Sequence, residues 1–190
     1  QVMWPIKNES GLWKNPHGHY HRSAKGGGHW ETKKKYPQKW TVNYKGLKFN
    51  ISPTGFKLTG LFPEQAANWD WQMDMIKKAN RPIKVLNLFA YTGGATVACA
   101  AAGAEVCHVD ASKGMVTWAK ENLQTSGLGD RKVRFIVDDV VKFVEREIRR
   151  GNKYDAIIMD PPSYGRGPKG EVWQIEDKLY GLVELCTKVL

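Results

Sequence analysis

The chain has 190 residues, 42% of them apolar, enough for one ordinary core with a small appendage. Its formal charge of +10 is uneven: residues 1–82 carry 14 Lys and Arg against 5 Asp and Glu, residues 83–190 carry 15 against 14. Three cysteines without CxxC spacing exclude a disulfide scaffold and fit a reducing cytoplasm, and the longest apolar stretch is broken by Asn87, Tyr91, Thr92 and two glycines, which excludes a membrane span. The basic excess points to a polyanionic partner, most simply nucleic acid; incidental surface charge is the alternative.

Residues 1–38 lack a regular pattern and read as a loop or weakly ordered arm, with Gly, His, Lys and aromatics interleaved in HGHYHRSAKGGGHWETKKKYPQKW. TVNY and LKFNIS flank Lys45-Gly46 and predict a β-hairpin. In LFPEQAANWDWQMDMIKKAN, Pro63 suits a first helical turn, Glu64 its positive end and Lys77-Lys78 its negative end. Ala66, Trp69, Met73 and Ile76 supply the apolar stripe. From residue 83 the pattern is regular. KVLNLFA, EVCHVD, KVRFIV and YDAIIMD predict strands. Between them come a small-residue helix ending at Gly103, a helix capped by Ser112 and running to about Ser126, and VVKFVEREIRR, with Val141, Val144 and Ile148 on one face. WQIEDKLYGLVELCTKVL predicts a last helix. This alternation implies a parallel sheet with right-handed crossovers. The chain begins on Gln and stops after a helix that should lead into a fifth strand, so a longer parent is expected. Its parts are a basic extension with a β-hairpin over residues 1–58 and a truncated α/β domain over residues 59–190.

In an open parallel sheet, ligands bind at the carboxyl ends of the strands. FAYTGGAT follows the first strand, Asp110 ends the second, Asp138 and Asp139 follow the third, and DPPSY follows the fourth. Gly93 and Gly94 let the backbone approach a ligand, or simply make a tight turn. Asp110 stands at about the distance from them where a carboxylate takes both ribose hydroxyls, or else caps the next helix. Asp139 suits an exocyclic amine such as adenine N6, or caps the helix near Val140. The G-x-G-x-x-G spacing of a nicotinamide site is absent. S-adenosylmethionine fits better, because it has a ribose and an adenine but no pyrophosphate. Its sulfonium methyl is already activated, so transfer needs alignment of a nucleophile and no metal. Asp160, held stiff by Pro161 and Pro162, can then accept from an amino group on a planar substrate, with Tyr164 offering a ring face or edge.

NLFAYTGG, HVDAS, DDVVKFV and DPPSYGRG resemble class I S-adenosylmethionine-dependent methyltransferases. The chain is most similar to the branch containing the large-subunit ribosomal RNA methyltransferases that modify cytosine C5 or guanine N7. The resemblance covers about residues 55–190 and implies a Rossmann-like α/β sheet, incomplete at its C-terminus, with a small β-containing N-terminal extension. It implies cofactor binding by Asn87, Phe89, Tyr91, Thr92, Gly93, Gly94, Asp110, Ala111, Ser112, Asp138 and Asp139. TGLFPEQ is similar to the segment that precedes the first strand in this branch, which places Phe62, Glu64 and Gln65 near the methionine end of the cofactor; here FPEQ stands where the branch more often has an aspartate with Gln and Arg.

Methylation at cytosine C5 needs a cysteine nucleophile. Cys99, Cys107 and Cys186 fall inside predicted elements and read as small buried residues. Either that cysteine lies beyond residue 190, or the target is not a pyrimidine carbon. His17, His19, His21 and His29 have no cysteine near them and lie in a Lys-rich segment, so no metal is expected and the segment reads as a solvated or RNA-contacting arm. Lys33, Lys34, Lys35 and Trp40, with Arg166 after the fourth strand, are the expected contacts to RNA, most simply ribosomal. The other readings are methylation of protein or a small molecule, a nicotinamide oxidoreductase, and an RNA-binding module that has lost catalysis.

Overall fold

The computed structural model describes residues 15–23, 27–55 and 58–190. Contacts divide them into two units, the described residues of Gln1–Trp40 with Ile51–Gly60, and Thr41–Asn50 with Leu61–Leu190.

In the first unit, β1 (Gly18–Arg22) and β2 (Gly28–Thr32) pair antiparallel. The sequence reading had a loop here. Tyr20 and Trp30 face each other edge-on at 5.4 Å, and Trp30 Nε1 donates to Thr54 O at 2.9 Å. The alternation that builds these strands is carried by one aromatic per strand between His, Gly and Glu, too sparse to register as a period of two.

The second unit rests on strands covered on both faces, which need continuous apolar runs rather than alternation. Val85, Leu86, Asn87 and Leu88 of β5 (Lys84–Leu88) are all buried. β6 (Glu105–Asp110), β7 (Val133–Val137) and β8 (Ala156–Met159) complete a sheet of order β7-β6-β5-β8, and each adjacent pair is parallel. The chain fills one side of β5 with β6 and β7, then crosses to place β8 on the other. The β5/β8 seam is therefore a topological switch point, where ligands of such sheets bind.

Pleating divides the core. Val85 and Val106 pack with Trp69 of α1 (Ala66–Lys78), Val97 of α2 (Gly94–Ala101) and Leu123 of α3 (Lys113–Thr125). Leu86, Leu88, Cys107 and Val109 pack with Phe143 of α4 (Val140–Arg149) and Leu182 of α5 (Ile175–Thr187). The predicted hairpin is β3 (Trp40–Tyr44) and β4 (Leu47–Ile51), turned by Lys45 and Gly46 at φ 46° and 86°. It buries Phe49 against Trp69 at 5.2 Å, and Asn50 donates to and accepts from α3 through Asn122 and Trp118.

After β8, the Gly- and Pro-rich stretch holds a short antiparallel pair, β9 (Tyr164–Arg166) and β10 (Val172–Gln174). The last helix therefore starts at Ile175, two residues later than its sequence suggests. Trp173 is the cause: its ring is buried and its Nε1 donates to Pro162 O at 2.7 Å, which holds the strand extended. Among the described residues no helix is long and apolar enough to cross a membrane.

Candidate active site

Strand register sets the site. Leu88 pairs with both Val109 and Met159, and Asp110 pairs with Val137. The loop after β5, Asp110, Asp138 and Asp160 thus share one edge of one sheet, and Asp138 N donates to Asp110 O at 3.1 Å.

The loop after β5 is strained. Phe89 and Tyr91 both sit at φ 52°, and Gly93 at φ 81°. Left-handed backbone costs a non-glycine residue about 1–2 kcal/mol, and such strain concentrates where a fold must present backbone to a ligand. Ala90 N donates to Val109 O (3.0 Å), Tyr91 N to Asp110 Oδ2 (2.9 Å) and Gly93 N to Ala90 O (3.0 Å). Asn122 Nδ2 donates to Thr92 O at 2.8 Å from the buried face of α3. Asn87 lies beneath the turn, 3% exposed, and donates to Thr96 Oγ1, which contacts His108 Nδ1; both distances are 2.9 Å. Burial pushes the His108 pKa down to about 3, so the ring is neutral, and its Nε2 has no partner among the described residues.

Both glycines have packing reasons. A Cβ on Gly93 would lie 2.9 Å from Ala119 Cβ, and one on Gly94 would lie 2.7 Å from Cζ2 of the buried Trp69. Gly94→Ala should therefore cost about 1–3 kcal/mol, as overpacking does. Urea unfolding checks this; an unchanged midpoint would mean that Trp69 moves freely.

Asp110 joins two loops: Oδ2 accepts from Tyr91 N, and Oδ1 accepts from Ser112 N at 2.8 Å. Each oxygen keeps a second lone pair. Burial raises its pKa above the usual aspartate value. Ala111 is half-buried beside it, and Ser112 caps α3 by accepting from Met115 N at 3.4 Å. Asp138 accepts from Asp139 N at 2.9 Å and pairs with Arg146. Asp139 accepts from Lys142 N at 3.1 Å and caps α4, so the capping reading holds for one of its oxygens.

Asp160 is different. It is exposed, and it has no hydrogen-bond or ion-pair partner among the described residues. Beyond Pro161, the Pro162 carbonyl is fixed by Trp173, whose ring lies 4.7 Å from Phe89. Trp173 thus couples the strained loop to the proline loop. Ser163 O accepts from Ile175 N at 3.0 Å. Tyr164 is 54% exposed, and Arg166 is exposed on the same strand. Ahead of the sheet, Phe62 lies 5.4 Å from Tyr91, Glu64 is exposed, and Gln65 Oε1 accepts from Asn68 Nδ2 at 2.7 Å.

No cysteine joins this edge. Cys99, Cys107 and Cys186 are all buried, and burial pushes the thiols of Cys99 and Cys186 up to about 12 and 11.

The expected RNA contacts Lys33, Lys34, Lys35 and Trp40 belong to the first unit. Lys33 N and Lys34 N donate to His17 O at 2.8 and 3.0 Å. Trp40 stands edge-on to Tyr36 at 6.2 Å, and both line a largely apolar cavity of about 520 Å³ with Trp30 and Pro37. The same unit gathers His19, His21 and Glu31, with donor atoms within 4.8 Å of one another. Sequence reasoning missed Glu31, and also Asn122, Thr96, His108 and Trp173. Only Trp173 left a signal, as an isolated tryptophan beside a Gly/Pro loop.

A four-stranded parallel sheet with a strained glycine turn and carboxylates on its switch-point edge defines a Rossmann-like α/β fold of the kind that binds a nucleoside cofactor. The model of the S-adenosylmethionine-dependent methyltransferase family matches residues 18–185, and the chain belongs to that family. It is 36% identical over 148 residues to a ribosomal RNA large subunit methyltransferase K/L of Shewanella frigidimarina, covering 75% of this chain and 20% of that protein. It is 30% identical over 148 residues to the protein of the same name from Colwellia psychrerythraea, covering 77% and 20%. The crystal structure of a SAM-dependent methyltransferase from Agrobacterium tumefaciens matches with a TM-score of 0.90 and 44% identity, over 94% of this chain and 57% of that one. The chain thus spans about a fifth of the length of those two ribosomal RNA methyltransferases. S-adenosylmethionine is the methyl donor of the family.

Proposed function

We propose that this chain carries the methyl-transfer site of an enzyme that modifies a base of large-subunit ribosomal RNA. One observation carries the reading. A stiff, exposed carboxylate, Asp160, stands without a partner among the described residues at the switch-point edge, beside a strained turn that its own fold has stapled in place. A carboxylate kept unpaired on a rigid loop suits an incoming donor better than a structural bond.

In this reading Asp110 accepts the ribose hydroxyls with the lone pairs its backbone contacts leave. Asp138 and Asp139 border the adenine. Gly93 and Gly94 form the turn under the cofactor, whose sulfonium supplies the methyl group. Phe62 and Tyr91 flank the methionine end with Glu64 and Gln65. Asn87, buried under the turn, holds the loop through Thr96. Asp160 accepts from an amino or ring N–H of the target base and sets its nucleophilic atom in line. Tyr164 stacks on the base and Arg166 meets a phosphate. The buried, weakly acidic cysteines give this segment no nucleophile for attack on a pyrimidine C6.

The relatives' names support ribosomal RNA, and the basic first unit supports a polyanion. Replacing Lys33, Lys34 and Lys35 with Ala should flatten the salt dependence of binding to a ribosomal RNA fragment. At roughly 0.7 per phosphate on single strands, three contacts change the slope by up to about 2. Filter binding across a salt series reads this directly. An unmoved slope would remove these lysines from the interface, and no binding at low salt would remove RNA.

A further inference from the structure

Register and pleat place four metal-ligating side chains on one face of the β1–β2 hairpin. His19 pairs with Glu31 and His21 with His29, while Tyr20 and Trp30 take the other face. The ligand atoms of His19, His21 and Glu31 all lie within 4.8 Å of one another, with His21 Nε2 2.8 Å from Glu31 Oε2. The His19 and His21 rings stack at 4.5 Å, and His29 stacks on the other side of His21 at 5.3 Å. An ordinary cross-strand ion pair explains His21 with Glu31. It leaves two further imidazoles, His19 and His29, stacked on either side of the first.

We propose that His19, His21 and Glu31, with His29 as fourth donor, bind one borderline divalent transition ion, zinc being the type case, and that the ion clips β1 to β2. Two histidines and a carboxylate are a known zinc donor set, with metal–ligand distances of about 2.0–2.2 Å. Donors around such a tetrahedral ion stand roughly 3.3–3.6 Å apart, so those of His19, His21 and Glu31 lie within about 1.5 Å of that spacing. A two-stranded ribbon is marginal by itself, and a bond across it adds what its small apolar face lacks.

The test is calorimetric titration of ZnCl2 into the metal-free chain at neutral pH, alongside thermal unfolding with and without zinc. The expected result is one ion per chain, a raised unfolding midpoint, and affinity that falls as pH drops and protons compete for the imidazoles. The double variant His19→Ala/His21→Ala should weaken binding by more than about tenfold, a loss that even an outer-shell partner can cause. Glu31→Gln, which keeps both histidines, should weaken it too, with far-UV circular dichroism confirming that both variants fold. No saturable binding, or equal binding by the folded double variant, would overturn the proposal.

Discussion

Replacing Asp160 with Asn should leave cofactor affinity within about twofold and reduce methyl transfer by about 10²–10³, the range seen when one aligned polar contact to the reacting group is removed. The reasoning is local. Asp160 is exposed and makes no bond among the described residues, so its loss takes nothing from the fold, and surface substitutions of this kind stay within about 0.5 kcal/mol. Pro161 and Pro162 fix the backbone, and Trp173 holds the Pro162 carbonyl, so the loop keeps its shape in the variant. Only the proposed acceptor for a substrate N–H changes: the amide keeps one oxygen but turns a donor toward a donor. Binding of S-adenosylhomocysteine by calorimetry and single-turnover label transfer read the two halves separately. Full turnover in this variant would leave Asp160 without the role proposed here.

Asp110→Ala should act on the opposite term. Cofactor affinity should fall by about 5–150-fold, the equivalent of 1–3 kcal/mol for polar groups left without partners. The structure adds a second effect. Tyr91 N and Ser112 N both lose their acceptor, so the variant should also unfold earlier. Measuring affinity well below the new unfolding midpoint separates the two. Because burial raises the Asp110 pKa, protonation reaches this carboxylate at a higher pH than an ordinary aspartate. Protonation turns one acceptor into a donor, so cofactor affinity in the wild-type chain should fall on the acid side sooner than ordinary aspartate titration predicts. The fall should be missing in Asp110→Ala. Unchanged affinity in the variant would take Asp110 out of the site.

The parallel sheet was legible because strands buried on both faces must be apolar throughout, and KVLNL and EVCHV are close to that. The strand-end carboxylates were legible for the same reason: a charge that closes an apolar run marks where the sheet meets solvent. What those carboxylates bond to was not. Asp139 and Asp160 read alike in sequence, yet one caps a helix and the other stands free among the described residues. The difference lies in the next residues, Val-Val that continue as a helix against Pro-Pro that cannot. The supports under the turn, Asn122 and His108, were hidden because a buried polar residue is chosen by a partner distant in the chain, here Asn50 and Thr92 for one and Thr96 for the other. β10 was misread for a similar reason. Trp173 fits a helix by local pattern and is held as a strand by a carbonyl eleven residues earlier. The shared His and Glu face of the first hairpin needed the register itself, since only pairing brings Glu31 beside His19 and His21.

The most direct test of the account is label transfer. The chain is incubated with methyl-tritiated S-adenosylmethionine and a cell extract, and the product is divided between ribonuclease and protease. Counts released by ribonuclease and retained after protease, and absent with Asp160→Asn, are the predicted result. Counts released only by protease would contradict it, because the edge built by Asp110 and Asp160 would then be serving a protein substrate.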